Sequence, residues 1–149
     1  MSTTRLQQER RFQGIPVSSG VAVARTCLFN ENRHNDAPQY RVGVEDVAHE
    51  QGRFELAVGT VSDELDQIGE RVRREIGKAE AEIFRVQKVI LEDEVLIGEI
   101  RARIAESFLN AEASVIETFA SYEARLREVD NEYLRERVSD LTEIKHRLL

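Results

Sequence analysis

From residue 44 onward, apolar residues recur at intervals of three and four, the period of an amphipathic helix. The longest seam predicts one helix from 44 to 76, roughly 50 Å long at about 1.5 Å per residue. Its members are Phe54, Val58, Val61, Leu65, Ile68, Val72 and Ile76. Gly77 follows this seam and predicts the end of the helix, because glycine commonly terminates helices.

The same periodicity predicts helical segments over 78–92, 94–107 and 111–128, and a last helix after Asp130. The acidic run at 92–94 indicates a bend between the first two of these segments, and Asn110 is a good N-cap for the third. We therefore expect a mainly α fold, a four-helix bundle in which one helix is bent.

The residues before the bundle have a different pattern. Residues 1–11 are polar and predict a disordered arm. Phe12–Phe29 reads as strand and turn, and Tyr40–Val42 could add one short strand. A lone strand or hairpin leaves backbone groups unpaired, so Val21–Phe29 either pairs with a sheet from elsewhere or packs on the helices as an extended arm.

The segment 78–92 is apolar over too wide an arc for an ordinary surface helix. At about 100° per residue, its apolar side chains spread over roughly 220°. One flank, Phe84 and Leu91, can face the bundle. The other flank either is buried on further sides or forms a surface for a partner. It consists of Ile83, Val86, Val89 and Ile90.

Composition narrows the range of partners and compartments. The 149 residues carry a net charge of −7, which argues against nucleic acid and anionic membranes as main partners. The one cysteine, Cys27, fits a reducing cytoplasm. The polar start does not resemble a signal peptide, and no apolar run approaches the about 20 residues that span a bilayer. We expect a cytoplasmic protein.

Candidate chemistry is sparse. His34, His49 and His146 have neither metal-ligand nor triad spacing with other candidates, and Cys27 lies in strand-like sequence typical of a packing residue. The segment GIPVSSG fits neither of the two glycine-rich phosphate-binding patterns. By its own residues the chain is predicted to be a binding module, with no catalytic residue and no metal site.

Three segments together resemble the N-terminal part of bacterial enzyme I, the phosphoenolpyruvate–protein phosphotransferase of the sugar phosphotransferase system. They are GIPVSSGVAVAR at 14–25, EAEIFRVQKVILEDEVL at 80–96 and DNEYLRERVSDLTEIKHRLL at 130–149. The last segment is the most specific of the three. The resemblance covers residues 12–149, with a variable loop at 30–42.

The resemblance implies a division into an arm at 1–11, the first strand of an incomplete, swivelling α/β phosphohistidine domain with its loop at 12–42, and a helical domain at 43–149. The helical domain would dock the small phosphocarrier HPr. The parent enzyme would relay phosphoryl from phosphoenolpyruvate (PEP), through its own histidine, to HPr for sugar uptake. That histidine would lie beyond Leu149, so the chain is expected to be an inactive fragment. Mg²⁺ and a homodimer interface would belong to a missing C-terminal domain.

Carried over position by position, the resemblance implies a set of docking residues. The set comprises Ile83, Val89, Ile90, Glu94, Leu96, Leu126 and Arg137. The basic residues that flank the carrier's histidine in this family would suit an acidic rim here. Gln87 stands where the family often has histidine.

Two alternatives stay open. The chain could come from the nitrogen-branch or a multi-domain paralogue of the same enzyme. It could also be a non-enzymatic helical scaffold that keeps the bundle without phosphotransfer. A Thr-Ser-His segment downstream of Leu149 would indicate a phosphotransferase.

Overall fold

A computed structural model of the chain describes residues 13, 15, 19–21, 23, 25, 37–129 and 132–149, with backbone alone at 132–136. The chain divides into two units, Met1–Asn30 and Glu31–Leu149. The arm predicted at 1–11 and most of the strand predicted at Val21–Phe29 lie outside the described residues. No helix among the described residues is long and apolar enough to cross a membrane.

The described residues of the second unit form five α-helices after a short 3-10 turn at Val44–Asp46. They are α1 (Val47–Glu75), α2 (Lys78–Leu91), α3 (Glu94–Ser107), α4 (Ala111–Glu128) and α5 (Glu132–Leu148). The mainly helical prediction is confirmed. α1 is helical through the predicted seam up to Val72 and ends at Glu75, one residue before Ile76. Gly77 separates it from α2, and the amides of Ile76 and Gly77 both donate to the Val72 carbonyl.

The expected four-helix count, with one bent helix, is replaced by five helices. Asp93 has an extended backbone conformation (φ −64°, ψ 119°), which interrupts the helical hydrogen-bond ladder between α2 and α3. Its carboxylate then accepts hydrogen bonds from the amides of Val95 (3.0 Å) and Leu96 (2.9 Å). Asp93 therefore begins a new helix as its N-cap, rather than bending an existing one.

The core lies where α1, α3 and α4 meet and extends to α2 and α5. α1 contributes Phe54, Val61 and Leu65, in agreement with the predicted seam, although Ile76 at its end is exposed. The remaining large members of the core come from the other four helices. They are Leu91, Leu96, Ile100, Ile104, Val115, Phe119, Leu141 and Ile144.

Asn110 precedes α4, as predicted, but its side chain makes no capping bond to that helix. It is fully buried and holds the segment that leads into the bundle. Its amide nitrogen donates to the Pro38 carbonyl (2.8 Å), and its side-chain oxygen accepts from the Tyr40 amide (3.2 Å). The short strand considered at Tyr40–Val42 is a single bridge between Arg41 and Leu109, flanked by backbone hydrogen bonds.

Two buried carboxylates join helices that are distant in sequence. Glu50 of α1 accepts a hydrogen bond from the Ala111 amide at the start of α4 (2.8 Å) and forms an ion pair with Arg53 (2.7 Å). Glu123 of α4 forms an ion pair with Lys145 of α5 (2.9 Å). Because each buried charge is paired, these groups fix how α4 packs against α1 and α5.

Candidate functional site

α2 presents two different faces. Phe84, Gln87 and Leu91 turn toward the bundle, and the predicted inward flank is thereby confirmed for Phe84 and Leu91. Ile83 and Val89 remain 49% and 61% exposed. Val86 lies between them at intervals of three and is half-buried, so the three residues share one side of the helix. α2 thus keeps an apolar side that the described part of the protein does not cover.

Exposed residues follow at the start of α3, which is separated from α2 by Glu92 and Asp93. Glu94 and Val95 open α3 immediately after the Asp93 cap, and Val95 is 63% exposed. We call the surface formed by Ile83, Val86, Val89, Glu94 and Val95 the elbow surface.

The elbow surface has an acidic edge, because Glu92, Asp93 and Glu94 are consecutive. Glu92 accepts a hydrogen bond from Ser62 of α1 (2.8 Å), and the Asp93 carboxylate accepts the capping hydrogen bonds at the start of α3. The Glu94 carboxylate is exposed and makes no ion pair with any residue that the structure describes.

Two of the three cations of α2, Arg85 and Lys88, are held in ion pairs. The Lys88 ammonium lies 2.5 Å from the Asp66 carboxylate of α1, and this hydrogen bond raises the pKa of Lys88. Arg85 pairs with Glu82 one turn earlier (2.7 Å). Lys88 also lies 3.8 Å from Glu92, so one carboxylate of the acidic edge is partly compensated, whereas Glu94 has no such pair within the described part of the chain.

The structure distributes the seven predicted docking residues unevenly. Ile83, Val89 and Glu94 lie on the elbow surface, and Ile90 beside them is half-buried against the core. Leu126 of α4 is also half-buried against the core. Leu96 is only 4% exposed and belongs to the core, so it does not reach the surface in this conformation.

Arg137 lies on a different helix, α5, and is half-exposed. Its guanidinium forms an ion pair with Asp140 (2.9 Å). Gln87, the position where the family often has histidine, is 5% exposed, and its side-chain oxygen has no hydrogen-bond partner among the described residues.

Val95 is an exposed residue that the predicted docking set lacks, although it adjoins a buried stripe that begins at Leu96. Ile100 and Ile104 follow Leu96 at intervals of four and are buried with it. Val95 is about 100° away from that stripe, which was the available indication that it points elsewhere.

The described residues contain no group of three or more His, Cys, Asp and Glu side chains arranged to hold a metal ion. His49 is exposed on α1, and His146 is half-buried on α5. His34 and Cys27 lie outside the described residues.

Comparisons with known proteins bear on this surface. The family model of the PEP-utilising enzyme N-terminal domain matches residues 13–137. A phosphoenolpyruvate-protein phosphotransferase of Listeria monocytogenes is 34% identical over 140 residues, covering 94% of this chain. The corresponding protein of Bacillus subtilis is 28% identical over 139 residues, covering 93%. The chain spans 24% of the length of each of these curated relatives.

Solved structures agree with the fold. A solution structure of enzyme I superimposes with a TM-score of 0.72 at 25% identity, covering 74% of this chain and 45% of that one. The N-terminal domain of a nitrogen enzyme I superimposes with a TM-score of 0.69 at 24% identity, covering 77% of this chain and 47% of that one. The resemblance to enzyme I inferred from the sequence is confirmed, and the chain belongs to the PEP-utilising enzyme N-terminal family.

Proposed function

We propose that this chain is the carrier-docking part of a phosphoenolpyruvate–protein phosphotransferase and that it binds an HPr-type phosphocarrier on the elbow surface. The whole enzyme would relay phosphoryl from phosphoenolpyruvate, through an enzyme histidine outside this chain, to a histidine of the carrier. Positioning and charge neutralisation account for most of the catalysis in such transfers. The chain would supply the positioning of the carrier.

The observation that supports this proposal best is the exposed apolar side of α2 and α3. Ile83, Val89 and Val95 are each about half exposed or more, although burial of such side chains is worth about 1.5–3 kcal/mol each. Three exposed branched side chains on adjoining turns are typical of an interaction site. Association with a partner would recover this free energy.

The charge around the surface supports a partner of opposite sign. Glu92 and Glu94 flank the apolar side chains, and the chain as a whole carries −7. A carrier with basic residues around its reactive histidine would be attracted electrostatically, which raises the association rate more than the affinity. Among the predicted residues, Ile83, Val89, Ile90, Glu94, Leu126 and Arg137 stay in the proposal, and Leu96 would support the surface from the core.

The remaining expectations complete the proposal. We assign 1–11 to an arm, 12–42 to the first strand of an α/β phosphohistidine domain and its loop, and 43–149 to the helical docking domain. Mg²⁺, phosphoenolpyruvate and the dimer interface would belong to parts of the enzyme outside this chain. The enzyme would act in the cytoplasm.

The test is a titration of the ¹⁵N-labelled 149-residue chain with an HPr-type carrier from the same organism. We expect amide shifts concentrated at Ile83, Val89 and Glu94, with weak binding. Val89→Asp should abolish them, because it places a charge where the partner's apolar contact would lie. Leu56→Asp is the matched control, since Leu56 is 74% exposed on α1 outside the elbow surface and should leave binding unchanged.

Two results would contradict the proposal. A titration without shifts would remove the docking function. Equal loss of binding in Val89→Asp and Leu56→Asp would place the contact elsewhere. Separately, incubation of the chain with phosphoenolpyruvate and Mg²⁺ should give no phosphorylated protein by mass spectrometry. A phosphorylated product would refute the proposal that phosphoryl transfer uses a histidine outside this chain.

A further inference from the structure

An aromatic–cation pair on α4 has no role in the docking surface described so far. The guanidinium carbon of Arg125 lies 5.4 Å from the centroid of the Tyr122 ring, within the range of a cation–π contact. Tyr122 is half-buried against the core, whereas Arg125 is exposed. The core therefore fixes the ring, and the ring in turn holds the guanidinium in place.

The pair lies at the border of the elbow surface. The Glu99 carboxylate of α3 is next to the Tyr122 phenol, and burial, followed by Glu99 and Asp93, raises the pKa of Tyr122. Val95 precedes Glu99 by one helical turn, and Leu126 follows Tyr122 by one turn. Glu99 therefore connects Val95 on α3 with Tyr122 on α4, and Leu126 lies one turn beyond Tyr122.

Arg125 has no ion-pair partner among the described residues, although the chain is acidic, with 28 acidic residues against 21 basic ones. Arg127, only two positions later, pairs with Glu123 (3.3 Å). Stacking on a ring covers one face of a guanidinium and leaves its in-plane N–H donors available, which suits a bidentate contact with a carboxylate.

We propose that Arg125, positioned by Tyr122, is a specificity-determining residue. Its guanidinium would donate hydrogen bonds to a carboxylate of the docked carrier beside the elbow surface. This inference rests on the proposed docking function. It requires a carrier whose contact face is mixed, with basic groups opposite Glu92 and Glu94 and one acidic group opposite Arg125. A carrier with a basic group at that place would be rejected by like-charge repulsion.

The test compares two charge reversals in the 149-residue chain by isothermal titration with the carrier. Arg125→Glu should raise Kd by about tenfold, since a close opposite-charge contact becomes a repulsive one. Arg71→Glu makes the same change of net charge at an exposed arginine of α1 and should alter Kd by less than about twofold. Changing the facing carboxylate of the carrier to lysine should restore binding to Arg125→Glu while weakening binding to the unaltered chain.

A second variant tests the positioning by Tyr122. Tyr122→Leu keeps an apolar side chain against the core but removes the ring, so Kd should rise by about threefold with little change in Tm. If Arg125→Glu and Arg71→Glu weaken binding equally, or if no carrier reversal restores binding, this inference is overturned while docking stands. If the unaltered chain does not bind, the docking function itself fails, and the present inference fails with it.

Discussion

Helix α4 buries seven of its 18 residues, among them the polar Thr118 and Glu123, whereas α2 buries only Gln87 and Leu91 of its 14. α2 nevertheless has the wider apolar arc in the sequence. Two buried polar side chains of α4 have partners outside the helix: Thr118 accepts from Arg103 (3.2 Å), and Glu123 accepts from Lys145 (2.9 Å). Apolar content therefore does not rank these helices by burial, and the apolar residues of α2 that stay exposed are the ones that the proposed docking function uses.

The largest effect is expected when one apolar side chain is replaced in each helix. Phe119→Ala in α4 should lower the free energy of unfolding by about 3–5 kcal/mol, because it empties a fully buried site. Val89→Ala in α2 should change it by less than about 0.5 kcal/mol. Urea unfolding followed by circular dichroism measures both. Similar losses of unfolding free energy in the two variants would mean that Val89 contributes as much to stability as Phe119.

The next test removes a buried charge of α4. Glu123→Ala leaves the Lys145 ammonium, only 13% exposed, without its carboxylate, and we expect a loss of about 3 kcal/mol. The double variant Glu123→Ala/Lys145→Met should recover part of that loss, since no charge is then buried unpaired. A double variant no more stable than the single one would show that the pair is not what sustains this contact.

A smaller effect is expected at the junction after α2. Asp93→Ala removes the hydrogen bonds to the amides of Val95 and Leu96 and should cost about 1 kcal/mol. Glu94→Ala is the matched control, because Glu94 is exposed and should be neutral for stability while weakening carrier binding. If Glu94→Ala unfolds as readily as Asp93→Ala, the separation between capping and docking carboxylates is wrong.

The smallest effect concerns pH at the start of α4. Burial is the largest single influence on Glu112 and opposes its ionisation. The hydrogen bonds from Arg53, from its own backbone and from Asn110, together with the Arg53 charge, outweigh burial, so the pKa of Glu112 is lowered from 4.5. A lowered pKa in the folded state stabilises the protein above the unfolded value, and this stabilisation is lost as the pH falls through the folded pKa. Glu112→Gln should thus be less stable than the unaltered chain at pH 7 and nearly equal to it at pH 3. A difference that persists at pH 3 would assign the effect to packing.

The sequence was sufficient for the helices, because their evidence is local. The α1 seam, the stop at Gly77 and the start of α4 after Asn110 all follow from residues within a few turns of one another. The division of α2 and α3 was seen only as a bend, because an acidic run allows either a kinked helix or a capped restart. The cap depends on the backbone conformation of Asp93, which a residue pattern does not specify.

Burial of particular side chains was harder to predict, because it depends on partners far along the chain. Glu50 and Glu123 look like solvated surface acids until Ala111 and Lys145 are placed beside them. Leu96 and Val95 are neighbours in sequence, yet one is buried and the other exposed. Of the candidate site, the sequence indicated the apolar arc of α2, whereas the Tyr122–Arg125 contact depends on side-chain conformations that a residue pattern does not specify.

The hydrogen bonds of Asn110 to the segment at 38–42 also have a kinetic consequence. The contact between Tyr40 and Asn110 joins residues 70 positions apart, so it encloses α1, α2 and α3 within one loop of the chain. Closing such a loop costs conformational entropy, and contacts that form inside the loop offset this cost. We expect the hairpin of α1 and α2 to assemble before this closure. The amides of Tyr40 and Val42 would then be among the last to gain protection during refolding.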